Sequence, residues 1–274
     1  MSVPGWEVCR TTPPWLSDLQ PLTTGLLGQA GVKLWTSSPT RPPGALGIRA
    51  GGVVYPVFPE PWNESLEPGA RTILSRLGDA WCLMGPSAWV ARAETLVPPS
   101  RIQHRVEYEF LVHDHAVIDL GAGPGDLRPV HTDEGDLLFP LQEAYEKEEV
   151  LFDPREFQPL ASRLHLWKMI RQQEIVALWQ DGRPVAKAGT NALTSHWAQI
   201  GGVYTKPEAR GLGHQKRLMA FLLTRLQKQG RNACLFVKKS NLPALALYRR
   251  LGFSSARDFS ITYGERSSWA PGFP

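Results

Sequence analysis

The chain has 274 residues, 42% hydrophobic and 20% charged, which is long for one core and comfortable for two soluble units. That composition excludes disorder as the main state. Thirty basic against 26 acidic residues leave a formal charge of only +4 with no dense Lys/Arg run, which argues against a nucleic-acid partner.

Cys9, Cys82 and Cys234 are odd in number and lack metal or redox spacing, so no disulfide framework is expected. Residues 1–20 lack a basic start followed by an apolar core, and no apolar run reaches the roughly 18 residues that span a bilayer. The expectation is a soluble cytoplasmic protein that uses no membrane.

Taken in chain order, the first 135 residues are rich in Pro, Gly and Trp. Short apolar stretches at Gly47 to Phe58, Ala80 to Met84 and Val106 to His113, each bounded by turn formers, predict strands, and Ser87 to Val97 predicts a short helix. His113 and His115 alternate on the third strand, a spacing compatible with metal, but no third ligand accompanies them. Gly121 to Asp136 packs Gly, Pro and Asp together and predicts the connection between residues 1–135 and a second domain over 136–274.

Leu141 to Val150 and Pro159 to Arg171 follow as helices, the second with Leu160, Leu164, Trp167 and Met169 as a partial apolar face. Glu174 to Gln180 and Pro184 to Asn191 read as a hairpin about Asp181-Gly182, and His196 to Thr205 as the next strand. Gly213 to Gln229 is an amphipathic helix, Arg231 to Val237 a strand, Asn241 to Leu251 a short helix, and Phe253 to Tyr263 a closing strand. This order is that of a mixed α/β domain.

Val203 to Lys216 (VYTKPEARGLGHQK) carries the chemistry. A strand ends, Pro207 breaks its ladder, and Gly211 and Gly213 open a long helix. Glycines there let the backbone turn sharply and let an anion approach peptide N–H groups. The helix's first turn has unpaired donors and a partial positive charge suited to a pyrophosphate, and Arg210 adds a cation. No GxxxxGK[ST] is present, and no GxGxxG follows a first strand, so neither a P-loop nor a dinucleotide fold fits.

Arg210-Gly-Leu-Gly213 after a strand and a Pro resembles the pyrophosphate loop of the GNAT superfamily of acyl-CoA-dependent N-acyltransferases. Asn241, Ala244, Tyr248, Gly252 and Phe253 in NLPALALYRRLGF match that family's second signature, about 30 residues on. One position departs: Gln215 stands where the loop usually ends in Gly or Ala. The resemblance covers Leu141 to Arg266.

What it implies is a mixed central sheet of GNAT type, with acetyl-CoA or another acyl-CoA as co-substrate and an amine, small molecule or peptide, as acceptor. Val203, Tyr204 and Thr205 would line pantetheine as an added strand would. Arg210, Gly211, Leu212, Gly213, His214, Gln215 and Lys216 would hold the pyrophosphate, with Asn241 along the cofactor. Tyr248 would be the general acid for the leaving thiolate, its phenol staying protonated at neutral pH. No general base declares itself; His196 and Glu208 flank the loop strand. The N-terminal half fits a degenerate copy of the same α/β fold that shapes the acceptor pocket or a homodimer surface. A non-catalytic acyl-CoA-binding sensor or interaction module is the alternative, with Gln215 as its motive.

Overall fold

A computed structural model describes residues 7–9, 33–36, 46–50, 53–58, 64–75, 82–114 and 121–264. His115, Trp81 and the last residues of the resemblance, 265–266, lie outside these. The chain divides into two units, both discontinuous in sequence. Unit 1 takes Met1–Phe110, Val237–Asn241 and Ser255–Ser267; unit 2 takes Leu111–Phe236, Leu242–Ser254 and Ser268–Pro274.

The elements of the first half are β1 (Glu7–Cys9), β2 (Lys33–Thr36), β3 (Leu46–Ala50), β4 (Val53–Val57), α1 (Glu67–Ser75), β5 (Cys82–Pro86), α2 (Ser87–Thr95) and β6 (His104–His113). The stretch Gly47 to Phe58, expected as strand, holds β3 and β4, which pair antiparallel. β4 then pairs with β5 in parallel, Val53 opposite Cys82 and Val54 opposite Leu83, with α1 as the crossover. Helix α1 is a departure, since its Gly69 and Pro68 hide it in the sequence. It is held by burial: Ala70 and Leu74 pack with Val54, Phe58, Leu83, Val90 and Ala93. In unit 1 the last strand among the described residues, β12 (Phe253–Tyr263), pairs antiparallel with β5, from Phe259 opposite Pro86 to Tyr263 opposite Cys82.

The remaining elements are β7 (Asp126–Pro129), α3 (Gly135–Tyr145), a π-helical turn (Glu146–Val150), α4 (Pro159–Gln172), β8 (Ile175–Gln180), β9 (Arg183–Leu193), β10 (Trp197–Thr205), α5 (His214–Lys228), β11 (Asn232–Lys238) and α6 (Leu242–Arg250). In unit 2 the strands run in the order β7-β8-β9-β10-β11, antiparallel except for β10 with β11. The hairpin β8–β9 turns at Asp181 and Gly182, both at positive φ (49° and 72°), as Asp-Gly favours.

Two expectations need correction. The segment Gly121 to Asp136 is more than a connection, because β7 forms inside it and pairs with β8. An edge strand tolerates Pro129, and Arg128 fixes it by stacking over the Trp179 ring (4.3 Å) and binding Glu134. Helix α4 also faces otherwise than its pattern predicted. Leu160 and Leu164 are 71% and 63% exposed, whereas Ser162, Leu166 and Ile170 are buried. The reason is polar: the Ser162 hydroxyl donates to the buried Glu146 carboxylate (2.8 Å), which turns that stripe inward.

The order hairpin, helix, parallel strand, helix, strand occurs twice, as β3-β4-α1-β5-α2-β6 and as β9-β10-α5-β11-α6-β12. The N-terminal half thus has the element order of a second copy of the C-terminal fold.

Candidate functional site

β10 is the strand on which the site is built. It pairs with β11 only from Trp197–Asn232 to Ile200–Leu235, so Gly201 to Thr205 run on past the last paired residue on that side. Toward β9 the register shifts between Gly201 and Tyr204, a bulge, with Gly202 at φ 61°. A bulge re-aims backbone groups out of the ladder, so the strand end that the sequence assigns to pantetheine has irregular edges on both sides.

The chain leaves β10 through a short turn at Pro207–Ala209 and reaches α5 through Gly211 and Gly213, at φ 78° and 75°. A Cβ at either glycine would meet no atom within 4 Å, so open space lies over the loop. Gly213 caps α5, no side chain satisfies that end, and the helix's bonding begins with Arg217 N–H on the Gly213 carbonyl. The first-turn donors therefore precede the helix's own bonding and have no capping side chain, which suits them to an anion. Leu212 is 65% exposed, Lys216 is exposed, and His214 is buried with its Nε2 at 3.4 Å from the Gln180 amide nitrogen.

Gln215, the departure from the family pattern, is turned toward the strand. Its carboxamide oxygen accepts from the Thr205 hydroxyl (3.1 Å), which leaves the NH₂ as the donor end of that group. Arg210 is already engaged. Its Nε donates to the Thr205 carbonyl (3.1 Å) and its Nη2 to both oxygens of Glu148 (2.8 Å each), while its guanidinium lies over the Tyr204 ring. The Tyr204 hydroxyl donates to the same carboxylate at 2.8 Å. Arg210 first, and then Tyr204, hold the Glu148 carboxyl below its ordinary range against a burial cost. Burial and then Glu148 push the Tyr204 phenol up to about 12.

Behind the bulge lies a second polar group that sequence reasoning missed. Lys187 of β9 is 4% exposed, and its ammonium donates to the Gly202 carbonyl (2.8 Å) and sits 4.5 Å from the Tyr145 ring centroid. Burial lowers its pKa to about 7, opposed by the Glu146 carboxylate. Glu146 itself accepts from Gln142 and Ser162 through Oε1. In the sequence, Lys187 reads as the outward residue of a strand and the glutamates of LQEAYEKEEV as a solvated face, so neither announces itself.

Tyr248 lies on α6 with its ring buried, edge-on to Phe253 (5.8 Å), which in turn meets His113 edge-on (5.1 Å). Burial, then the Glu149 charge, raise its phenol pKa well above the ordinary value, so the hydroxyl keeps its proton. His113 is held by the Leu251 carbonyl (2.9 Å). Asn241 precedes α6, belongs to unit 1, and donates its N–H to the Lys238 carbonyl. Lys239 is paired with Asp258 (2.7 Å). His196 and Glu208 are both exposed and join none of these groups. The structure thus brings Tyr204, Thr205, Arg210 and Gln215 together at one corner, adds Glu148, and sets Lys187 under the neighbouring bulge.

The sequence model of the acetyltransferase (GNAT) family matches residues 140–253. No curated protein matches the chain. Among solved structures, a putative GNAT-family acetyltransferase from Novosphingobium aromaticivorans is 22% identical, with a TM-score of 0.58 over 93% of this chain and 97% of its own. A GCN5-related N-acetyltransferase from Kribbella flavida is 16% identical (TM-score 0.58; 94% and 97% covered). A tandem GNAT protein from the clavulanic acid biosynthesis pathway is 14% identical (TM-score 0.58; 96% and 100% covered). At these identities the likeness is one of fold, and the tandem protein fits the repeated element order. No helix among the described residues is long and apolar enough to cross a membrane. The family match supports acyl-CoA-dependent N-acyltransferase activity in general. Loop, second motif and fold agree with that match, and residues 140–253 carry a GNAT acetyltransferase domain.

Proposed function

We propose that the chain moves an acyl group, most simply acetyl, from CoA to a primary amine, and that residues 136–274 carry the reaction in the cytoplasm. The observation that carries this reading is the open, uncapped start of α5 behind Gly211 and Gly213, beside a strand that outruns its pairing with β11. A pyrophosphate suits the first, and the amides of pantetheine suit the second. On this reading, backbone at Val203, Tyr204 and Thr205 pairs with pantetheine, and N–H groups from Gly211 to Lys216 hold the pyrophosphate with the Gln215 amide as an added donor. Arg210 reaches a phosphate only by leaving Glu148. The assignment of Asn241 rests on the resemblance. Tyr248 gives its proton to the departing thiolate once the amine has attacked the thioester carbon and the C–S bond breaks.

Calorimetric titration of acetyl-CoA into the full chain tests the reading. One site per chain is expected, and no heat from a folded sample overturns it. Thiol release against a panel of amines then separates enzyme from sensor: binding without amine-dependent turnover favours the sensor.

A further inference from the structure

We propose that Lys187 is a positioning residue for acyl transfer: its amine, held on the Gly202 carbonyl, fixes and polarises the Gly202–Val203 peptide so that the Val203 N–H donates to the thioester oxygen of bound acyl-CoA. The inference rests on the acyl-CoA reading above.

Between Gly201, opposite Gly189, and Tyr204, opposite Lys187, β10 carries one residue more than β9. The Gly202 carbonyl leaves the ladder there, and a half-buried carbonyl without a ladder partner needs a donor. Lys187 supplies it at 2.8 Å from within the strand that lost the contact. A buried lysine is a costly way to satisfy one carbonyl. A Cβ on Gly202 would come within 3.1 Å of the Lys187 nitrogen, so glycine at the bulge lets the amine approach the backbone closely.

The carbonyl and N–H of one trans peptide point in opposite directions. With the Gly202 oxygen drawn toward Lys187, the Val203 N–H is aimed away from it. Cooperative hydrogen bonding makes an N–H a better donor when a cation sits on the carbonyl of its own peptide. Charge that builds on a thioester oxygen during amine attack is what such a donor stabilises.

The surroundings decide when Lys187 is charged. From the π-helical turn, the Glu146 carboxylate favours the ammonium. From α4, His165 has its pKa lowered by burial and then by Lys168 and Lys187, so it adds no cation at neutral pH. Tyr145 of α3 contributes the face of its ring, and Tyr204 of β10 an un-ionised phenol. The charge is present below about 7 and is lost as pH rises through that value.

Isotope-edited infrared spectroscopy of acetyl-CoA labelled with ¹³C at the thioester carbonyl reads this directly. Bound to the full chain, the carbonyl band should lie below its free position and return toward it as pH rises through about 7. In Lys187→Met, which keeps the packing, the band should sit near the free position at every pH while calorimetric affinity changes little. The loss in kcat should not exceed the roughly 10²–10³-fold worth of one oxyanion donor. A bound band that ignores pH in the unaltered protein overturns the proposal without needing the variant, as does a band identical in both proteins. Absence of any acetyl-CoA heat is a different failure: it removes the acyl-CoA reading and this inference with it.

Discussion

The N- and C-terminal halves repeat one order of elements but differ at the junction where a strand gives way to the crossover helix. In unit 2 that junction is Arg210-Gly-Leu-Gly213, with two residues at positive φ and a helix start that no side chain caps. Between β4 and α1 the sequence is instead FPEPWNESL, without a glycine, with two prolines that lack N–H donors, and with Glu60 and Glu64. Glu67 opens α1, so the acidic charge sits where an anion would dock. The second helices differ in the same sense: the seventh residue of α6 is Tyr248, and that of α2 is the buried Ala93. The shared fold is therefore kept by apolar packing in both halves, while the groups suited to cofactor chemistry occur in one. Fold and function separate along the sequence.

The strongest way to sharpen that contrast is to remove the proton that only α6 offers. Tyr248→Phe keeps the ring against Phe253 and deletes the hydroxyl. If the phenol protonates the thiolate, kcat falls by about 10²–10⁴-fold, the span for a positioned acid. Acetyl-CoA affinity and melting temperature should hold, since no more than about 1 kcal/mol of hydrogen bonding goes with the hydroxyl. Loss of stability with kcat intact would make it a structural tyrosine and bring α6 closer to α2.

Next in size is Gly213→Val, which makes the junction of unit 2 more like that of unit 1. A β-branched residue at φ 75° is strained, and its side chain fills the open space over the loop. Affinity for acetyl-CoA should drop by about 10²-fold or more, read by calorimetry, because a left-handed residue costs about 1–2 kcal/mol before the anion is displaced. An unchanged affinity would show that the cofactor does not use this cradle.

Residues that act through the backbone are legible in sequence, and residues that act through burial are not. Gly211, Gly213 and Asp181-Gly182 announce turns because few other residues adopt positive φ. The stripe of α5 is equally plain, with Leu218, Leu222 and Leu226 inside and Met219 and Leu223 beside them. β7 is hidden because four residues among Gly, Pro and Asp give no periodicity, and its pairing with β8 supplies what propensity lacks. Lys187 and Glu146 are hidden because charge in a strand or helix reads as outward, and only the packing of α3 and α4 encloses them. The choice of face on α4 fails for the same reason, since a buried carboxylate recruited Ser162.

The smallest expected effect probes the corner that has no counterpart at the α1 junction. Glu148 binds Arg210 and Tyr204, so Arg210 must exchange a carboxylate for a phosphate if it is to touch the cofactor. Glu148→Gln removes the competing charge while leaving an acceptor for the Tyr204 hydroxyl. With both side chains of the pair about two-fifths exposed, water screens it. It is then worth about 0.2–1 kcal/mol, so acetyl-CoA should bind at most about fivefold more tightly. Stability should move the other way. A carboxyl whose folded pKa is depressed contributes stability above its unfolded value and loses it as pH falls through the folded one. The melting temperature of Glu148→Gln should therefore lie slightly below that of the unaltered protein at pH 7, and the gap should close on the acid side of 4.5. Glu67→Gln, which loosens the Arg71 pair of α1, serves as the matched control and should leave acetyl-CoA affinity untouched. If Glu148→Gln weakens acetyl-CoA binding instead, the carboxylate is holding Arg210 in its working place, and Arg210 acts by bracing the Thr205 carbonyl at the strand's end rather than by moving onto phosphate.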